Sequence, residues 1–199
     1  MTVETLANLP ILLFETQEEF EAWLAVHFAQ PTGIWLKLAK KASGMASVSY
    51  AEAMDVVLCW GWIDGQVKAY SDAFYLQKFT PRRAKSTWSK VNVAKVERLA
   101  AAGKMQPSGQ AAVDLAKQDG RWQQAYDSPS NMTMSDDFRE ALDKNPQAKA
   151  FFATLKKADQ YSFLWRIQTA RSPEMRRARI EKLIAMLNEG KTFHPKTGT

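Results

Sequence analysis

The sequence predicts an α+β fold, and three observations carry the prediction. Alternating apolar segments of strand type occur only before residue 81. After Pro81 apolar residues recur at i, i+3 and i+4 beneath capping residues, the helical signature. Residues 127–135 are rich in Ser, Asn and Pro and separate two segments that each have apolar stripes of their own. The expected architecture is a small antiparallel sheet packed with N-terminal helices, followed by an all-helical C-terminal module. The expected domains are 1–127 and 128–199.

Taken in order, Thr16 and Glu19 form a capping box ahead of the stripe Phe20, Trp23, Leu24, His27 and Phe28. Gln30-Pro31 ends that helix, and Gly33 turns the chain into an alternating strand, Ile34 to Ala39. Residues 40–47 form a basic loop. Ser49 and Glu52 make a second capping box for a helix that buries Met54, Val57 and Leu58 and stops at Gly61 in left-handed conformation. Ile63–Ala69 and Phe74–Phe79 read as a hairpin joined at 70–73. Ser86 or Ser89 caps a helix carrying Trp88, Val96 and Leu99 to Gly103, and Ser108 opens another that closes at Gly120. Ser135, Pro146, Asp159 and Ser172-Pro173 start four further helices, the last burying Ile180, Leu183, Ile184 and Leu187.

The chain has 199 residues, 46% of them hydrophobic, enough to bury a sizeable core. The single cysteine, Cys59, excludes an internal disulfide and fits a reducing compartment. The start MTVETLANLP lacks the basic region of a secretory signal, and no apolar run approaches the roughly 20 residues of a membrane span, so a cytoplasmic location is expected. The net charge of +6 is unevenly distributed: residues 1–30 carry −5, residues 78–104 carry +7 and residues 159–199 carry +4. Such polarity fits an anionic small molecule or a polyanion, nucleic acid included, or an acidic protein partner, and it also fits self-complementarity within the fold.

The candidate site lies between Cys59 and Asn92. The loop Pro81-Arg82-Arg83-Ala84-Lys85-Ser86 leads towards a helix N-terminus, where free N–H groups, the positive end of the helix dipole and three cations would seat an anion. Ser86, Ser89 and Asn92 add neutral hydrogen-bonding groups, and Trp60, Trp62 and Trp88 add aromatic surface of the kind that stacks bases. The competing reading is a solvated basic turn beside core tryptophans. Asp64, between Trp62 and Gly65, serves either as an acid or base or as the anchor of Arg82 or Arg83. Other chemistries find no constellation. His27 lies in an apolar stripe and His194 near the C-terminus, and neither metal-ligand spacing, a nucleophile elbow nor a phosphate-binding glycine loop is present. No cofactor and no metal are expected, and Cys59 reads as a small core hydrophobe.

Several of these motifs resemble one family. Gly33-Ile34-Trp35-Leu36, Ser49-Tyr50-Ala51-Glu52-Ala53, Leu58-Cys59-Trp60-Gly61-Trp62-Ile63-Asp64-Gly65 and Phe79-Thr80-Pro81-Arg82-Arg83 are similar to the bacterial YdeI/OmpD-associated proteins. Ser86 to Asn92, Gly103-Lys104-Met105 and Asp119-Gly120-Arg121-Trp122 continue the likeness. The basic run from Arg171 to Lys182 resembles that family's bacteriocin-protection module, departing from it at Ser172-Pro173-Glu174-Met175. The resemblance implies a small cytoplasmic bacterial protein linked by name to tolerance of bacteriocins or cationic peptides and to a porin, and it supplies no catalytic residues. The expected function is therefore a non-enzymatic binding or stress-tolerance protein with an anion-binding cleft. The alternative is an enzyme acting on a phosphorylated or carboxylated small molecule, with Asp64 as acid/base and Arg82 and Arg83 as clamp.

Overall fold

A computed structural model describes residues 4–193. The chain divides into two compact units, one of residues 1–86 and 92–123 and one of residues 87–91 and 124–199. The first contains the whole sheet. Strands β1 (Thr5–Leu6) and β2 (Leu9–Leu12) form a tight hairpin through Ala7 and Asn8, both at positive φ. Helix α1 (Gln17–His27) then crosses over to β3 (Ile34–Ala39), which pairs parallel to β2. Helix α2 (Tyr50–Cys59) leads into the hairpin β4 (Trp62–Ala69) and β5 (Phe74–Pro81). The sheet order is β1-β2-β3-β5-β4.

The architecture is α+β, but the sheet is mixed where an antiparallel one was expected. The β2–α1–β3 crossover makes one parallel pair, and Pro10 hides β2 from pattern reading because proline is rare inside strands. The β3–β5 and β4–β5 ladders are antiparallel as expected. Their register shifts between Asp64 and Val67, and the bulge leaves carbonyls of Gly65 and Gln66 to be satisfied. Buried Gln77 does this, its Nε2 donating to Gly65 O at 3.1 Å and also to Lys78 O at 3.2 Å.

The caps predicted at Thr16 and Ser49 form, whereas Ser135 makes no side-chain cap bond and the helices expected to start at Ser108 and Asp159 start at Pro107 and Lys157. The Thr16 hydroxyl accepts from Glu19 N, and the Glu19 carboxylate accepts from Glu15 N. Ser49 and Glu52 exchange both bonds of a capping box. The α1 and α2 faces then cover the sheet with Phe20, Leu24, Met54 and Val57. Two more helices, α3 (Lys90–Ala101) and α4 (Pro107–Gln118), follow. α4 packs on the end of α2 through Gly109, where a Cβ would lie 2.0 Å from Cys59 O, so only glycine permits the approach.

In the second unit residues 88–90 run alongside Tyr126: Tyr126 N donates to Trp88 O and Lys90 N to Tyr126 O. Among the described residues from 128 on, all regular structure is helical: α5 (Asp136–Asp143), α6 (Pro146–Thr154), α7 (Lys157–Gln168) and α8 (Pro173–Asn188). Pro173 sits at the first position of α8, and Ser172 accepts from Met175 N, a pairing of cap and proline that fixes the helix start. Phe138, Phe152, Phe163, Ile167, Leu183 and Leu187 form the core, with the phenylalanine rings meeting edge to face. Among the described residues no helix is long and apolar enough to cross a membrane.

Candidate anion-binding site

The β4–β5 ladder brings the two halves of the central stretch together. Trp62 pairs with Pro81 and Asp64 with Phe79, and Arg82 N donates to Gly61 O at 3.0 Å. The side chains, however, face different surroundings. Trp62 is 1% exposed, its Nε1 donates to Phe28 O at 2.9 Å, and its ring meets Trp23 edge-on. Trp60 lies half-buried against Phe28, ring centroids 5.1 Å apart. Asp64 takes a hydrogen bond from the Tyr50 hydroxyl at 2.9 Å rather than from an arginine of the loop.

The basic loop closes on itself. Ser86 N donates to Arg83 O, and Arg83 N donates to the Ser86 hydroxyl at 3.0 Å. α3 starts only at Lys90, after the segment paired with Tyr126, and its first N–H goes to the Tyr126 carbonyl. The N–H groups of Arg82, Arg83, Ser86 and Lys90 are thus engaged within the fold, while the Arg83 and Lys85 side chains stay exposed. Trp88 and Ser89 belong to the other unit, Trp88 being 2% exposed, and Asn92 is buried.

Much of the cationic charge of residues 78–104 is answered by distant acids. Lys95 and Arg98 both reach Asp55, Arg98 at 2.6 Å, and Lys90 reaches Asp127 at 2.8 Å. Lys78 rests over the Trp35 ring.

A different set of cations gathers in the helical unit. A pocket of about 560 Å³ opens between α7 and α8, within the usual range for small-molecule sites. Arg166, Arg171, Arg179 and Lys182 line it, and no carboxylate does. Its apolar wall comes from Trp165, Met175, Leu183, Met186 and Phe193. On α8, Met175, Arg179, Lys182, Leu183 and Met186 are spaced at i, i+4, i+7, i+8 and i+11, one continuous face.

The arginines are held in place by neutral groups. Arg179 Nη1 donates to Arg166 O at 2.5 Å and to Thr169 Oγ1 at 3.3 Å, capping the C-terminal carbonyls of α7. Arg166 donates to Ser162 O at 2.6 Å and sits over Phe193, its guanidinium carbon 3.4 Å from the ring centroid. Burial, and secondly the positive charge of Arg179, lower the Arg166 pKa from its ordinary value. Among the described residues no carboxylate pairs with Arg166, Arg179 or Lys182. Their neighbours on α8 differ: Arg176 grips Asp137 through two bonds of 2.6 and 2.9 Å, and Arg177 lies near Glu174.

Sequence reading missed this pocket, although a signal exists. None of Arg166, Arg179 and Lys182 has an acidic residue three or four positions away, whereas Arg177 has Glu174 and Glu181. Elsewhere, His27 stacks on Trp23 at 4.3 Å and donates from Nδ1 to Trp23 O, a structural use; His194 lies outside the described residues. Burial, aided by Glu21 and Asp55, pushes the Cys59 thiol up to about 11 and leaves it protonated. No group of three or more metal-ligating side chains is present among the described residues.

Two family profiles match the chain. Residues 12–112 match a family described as "Domain of unknown function (DUF8412)", and residues 131–190 match one described as "Bacteriocin-protection, YdeI or OmpD-Associated". No curated protein and no solved structure matches the chain.

Proposed function

We infer, on the premise that the chain belongs to the DUF8412 family through residues 12–112 and carries a YdeI/OmpD-associated domain at 131–190, that it is a binding protein for an anionic small molecule. The site is the pocket between α7 and α8. The observation that carries this reading is the set of unpaired cations on its wall, Arg166, Arg179 and Lys182, gathered without a carboxylate. Like charges held together and partly desolvated repel one another, and a bound anion relieves that cost. The lining offers charge, apolar surface and two threonine hydroxyls, and arginine stays protonated at any working pH, so the chemistry supported is binding rather than proton transfer. The printed name of the family at 131–190 speaks of bacteriocin protection and of association with OmpD; stress tolerance of that kind is the setting in which an anion-binding protein would act.

Calorimetric titration with pyrophosphate tests the site. Binding should be measurable at low salt and weaken as salt is added. It should be lost in an Arg179→Gln/Lys182→Gln protein and kept in an Arg83→Gln/Lys85→Gln protein. The opposite pattern would move the site to the loop of the sheet unit, and no binding by the unaltered protein would remove the reading.

A further inference from the structure

The pocket's lining also restricts the body of the ligand, an inference that rests on the binding reading above. We propose that the ligand is an amphiphilic organic anion: a phosphate or carboxylate head on an apolar body that carries few polar groups of its own. The head would sit among Arg166, Arg179 and Lys182. The body would lie on Trp165, Met175 and Met186.

Three features support this class over sugar phosphates and nucleotides. First, a ligand rich in hydroxyls or ring nitrogens needs neutral donors and acceptors to read it, and such sites are built from amide, hydroxyl and carboxylate side chains. Here the pocket has no Asn, Gln, Asp or Glu on its wall. Thr169 is already committed, donating to Trp165 O at 2.8 Å and accepting from Arg179. Second, the apolar wall is a flexible one. Met175 and Met186 flank Arg179 and Lys182 on the same face of α8, and unbranched thioether side chains adapt to irregular apolar shapes. Third, one aromatic face of the wall is already occupied, because the Arg166 guanidinium carbon lies 3.4 Å from the Phe193 ring centroid. Trp165 is met edge-on by Tyr126 at 5.8 Å and supplies wall area.

A free alkyl phosphate and the headgroup of an anionic lipid present the same chemistry, so the experiment needs arms for both. Hexyl phosphate, inorganic phosphate and adenosine monophosphate are titrated into the full chain by calorimetry. In parallel the protein is sedimented with phosphatidic acid vesicles and with phosphatidylcholine vesicles. Each methylene buried adds a factor of about four in affinity, so hexyl phosphate should bind at least about tenfold more tightly than inorganic phosphate. Adenosine monophosphate should gain no such factor. Met186→Gln, checked for its unfolding midpoint, should erase most of the hexyl advantage while leaving inorganic phosphate unchanged. Lys182→Gln, at an exposed position, should weaken all the anions together. Cosedimentation with phosphatidic acid alone, cancelled by Lys182→Gln, would assign the head to a lipid; hexyl phosphate binding without cosedimentation would assign it to a soluble molecule. Equal binding of hexyl and inorganic phosphate, or tighter binding of adenosine monophosphate, would overturn the amphiphile and keep the anion site. No binding of any of the anions, in solution or in vesicles, would overturn both.

Discussion

Particular polar side chains of the two units are answered in different ways. In the sheet unit several buried polar groups are closed off by protein partners, Trp62 Nε1 by Phe28 O, Trp35 Nε1 by Leu6 O and the Gln77 amide by the bulge carbonyls, although buried Trp60 Nε1 has no hydrogen-bond partner. Its Asp55 receives two cations. In the helical unit, Arg166 and Arg179 are fixed by backbone oxygens and an aromatic ring, and their charge is left without a counterion. A group with all its partners inside the fold holds structure, and a group positioned by neutral contacts with its charge unspent is ready for a ligand. The positive density of a stretch of sequence therefore overstates the charge that the fold leaves unpaired there. Residues 78–104 are the most basic segment, yet Lys90, Lys95 and Arg98 are paired with acids from outside it.

The largest expected effect tests the closed side of this contrast. Trp62→Ala removes a buried ring and its hydrogen bond from between Trp23 and Phe28, and should lower the unfolding free energy by about 3–5 kcal/mol. Urea unfolding measures it. Anion titration of the folded fraction should be unchanged, since Trp62 lies in the other unit from the pocket. A loss below about 1 kcal/mol would show that the site collapses around the deletion and that Trp62 is not the keystone its closure suggests.

How much of this was legible follows from how local each cause is. The capping boxes at Thr16 and Ser49, the left-handed Gly61 and the Pro173 helix start are set by residues within four positions of one another, and pattern reading finds them. Strand β2 was missed because it is four residues long, contains Pro10 and owes its existence to pairing with β3 across a helix. The attachment of residues 87–91 to the helical unit rests on a pairing with Tyr126, more than thirty positions away. At the site, cations were visible but their partners were not. Asp55 and Asp127 reach the basic stretch only in the fold, and Asp64 found Tyr50 where an arginine was expected.

A middle-sized effect compares two arginines of one helix. Arg176 is paired and Arg179 is not. Hydrogen bonding by the Arg176 guanidinium holds the Asp137 carboxyl down at about 2, below its ordinary value of 3.8. A depressed carboxylate pKa contributes stability that is fully present above the unfolded value and is lost as pH falls through the folded one, here from about pH 4 to pH 2. Asp137 is 46% exposed, so screening limits the contribution to about 1 kcal/mol or less. Melting curves of the unaltered protein and of Asp137→Asn should differ above pH 4 and converge near pH 2. A difference that persists unchanged to pH 2 would assign the effect of the substitution to something other than the ion pair.

The smallest effect is the most discriminating because its sign is unusual. Lys182→Glu places a carboxylate one helical turn from Arg179, on the face that also meets Arg166. Most surface substitutions are neutral or slightly destabilising. Here the new carboxylate supplies the counterion the cluster lacks, so the protein should gain a few tenths of a kcal/mol, the usual size of an i, i+3 pair of opposite charge. The same substitution puts a negative charge where the ligand's head would sit, so anion binding should fall at least about tenfold. Stability gained while binding is lost marks a site that keeps its charges unpaired for a ligand. Lys191→Glu provides the control, since Lys191 already pairs with Glu189 on the surface at 2.6 Å. That change should cost a few tenths of a kcal/mol and leave binding intact. Thermal melts at low salt, repeated at high salt where both effects should shrink, read the sign directly. If Lys182→Glu destabilised the protein as Lys191→Glu does, the cations of the pocket would not be repelling one another, and the contrast between the two units would lose its physical basis.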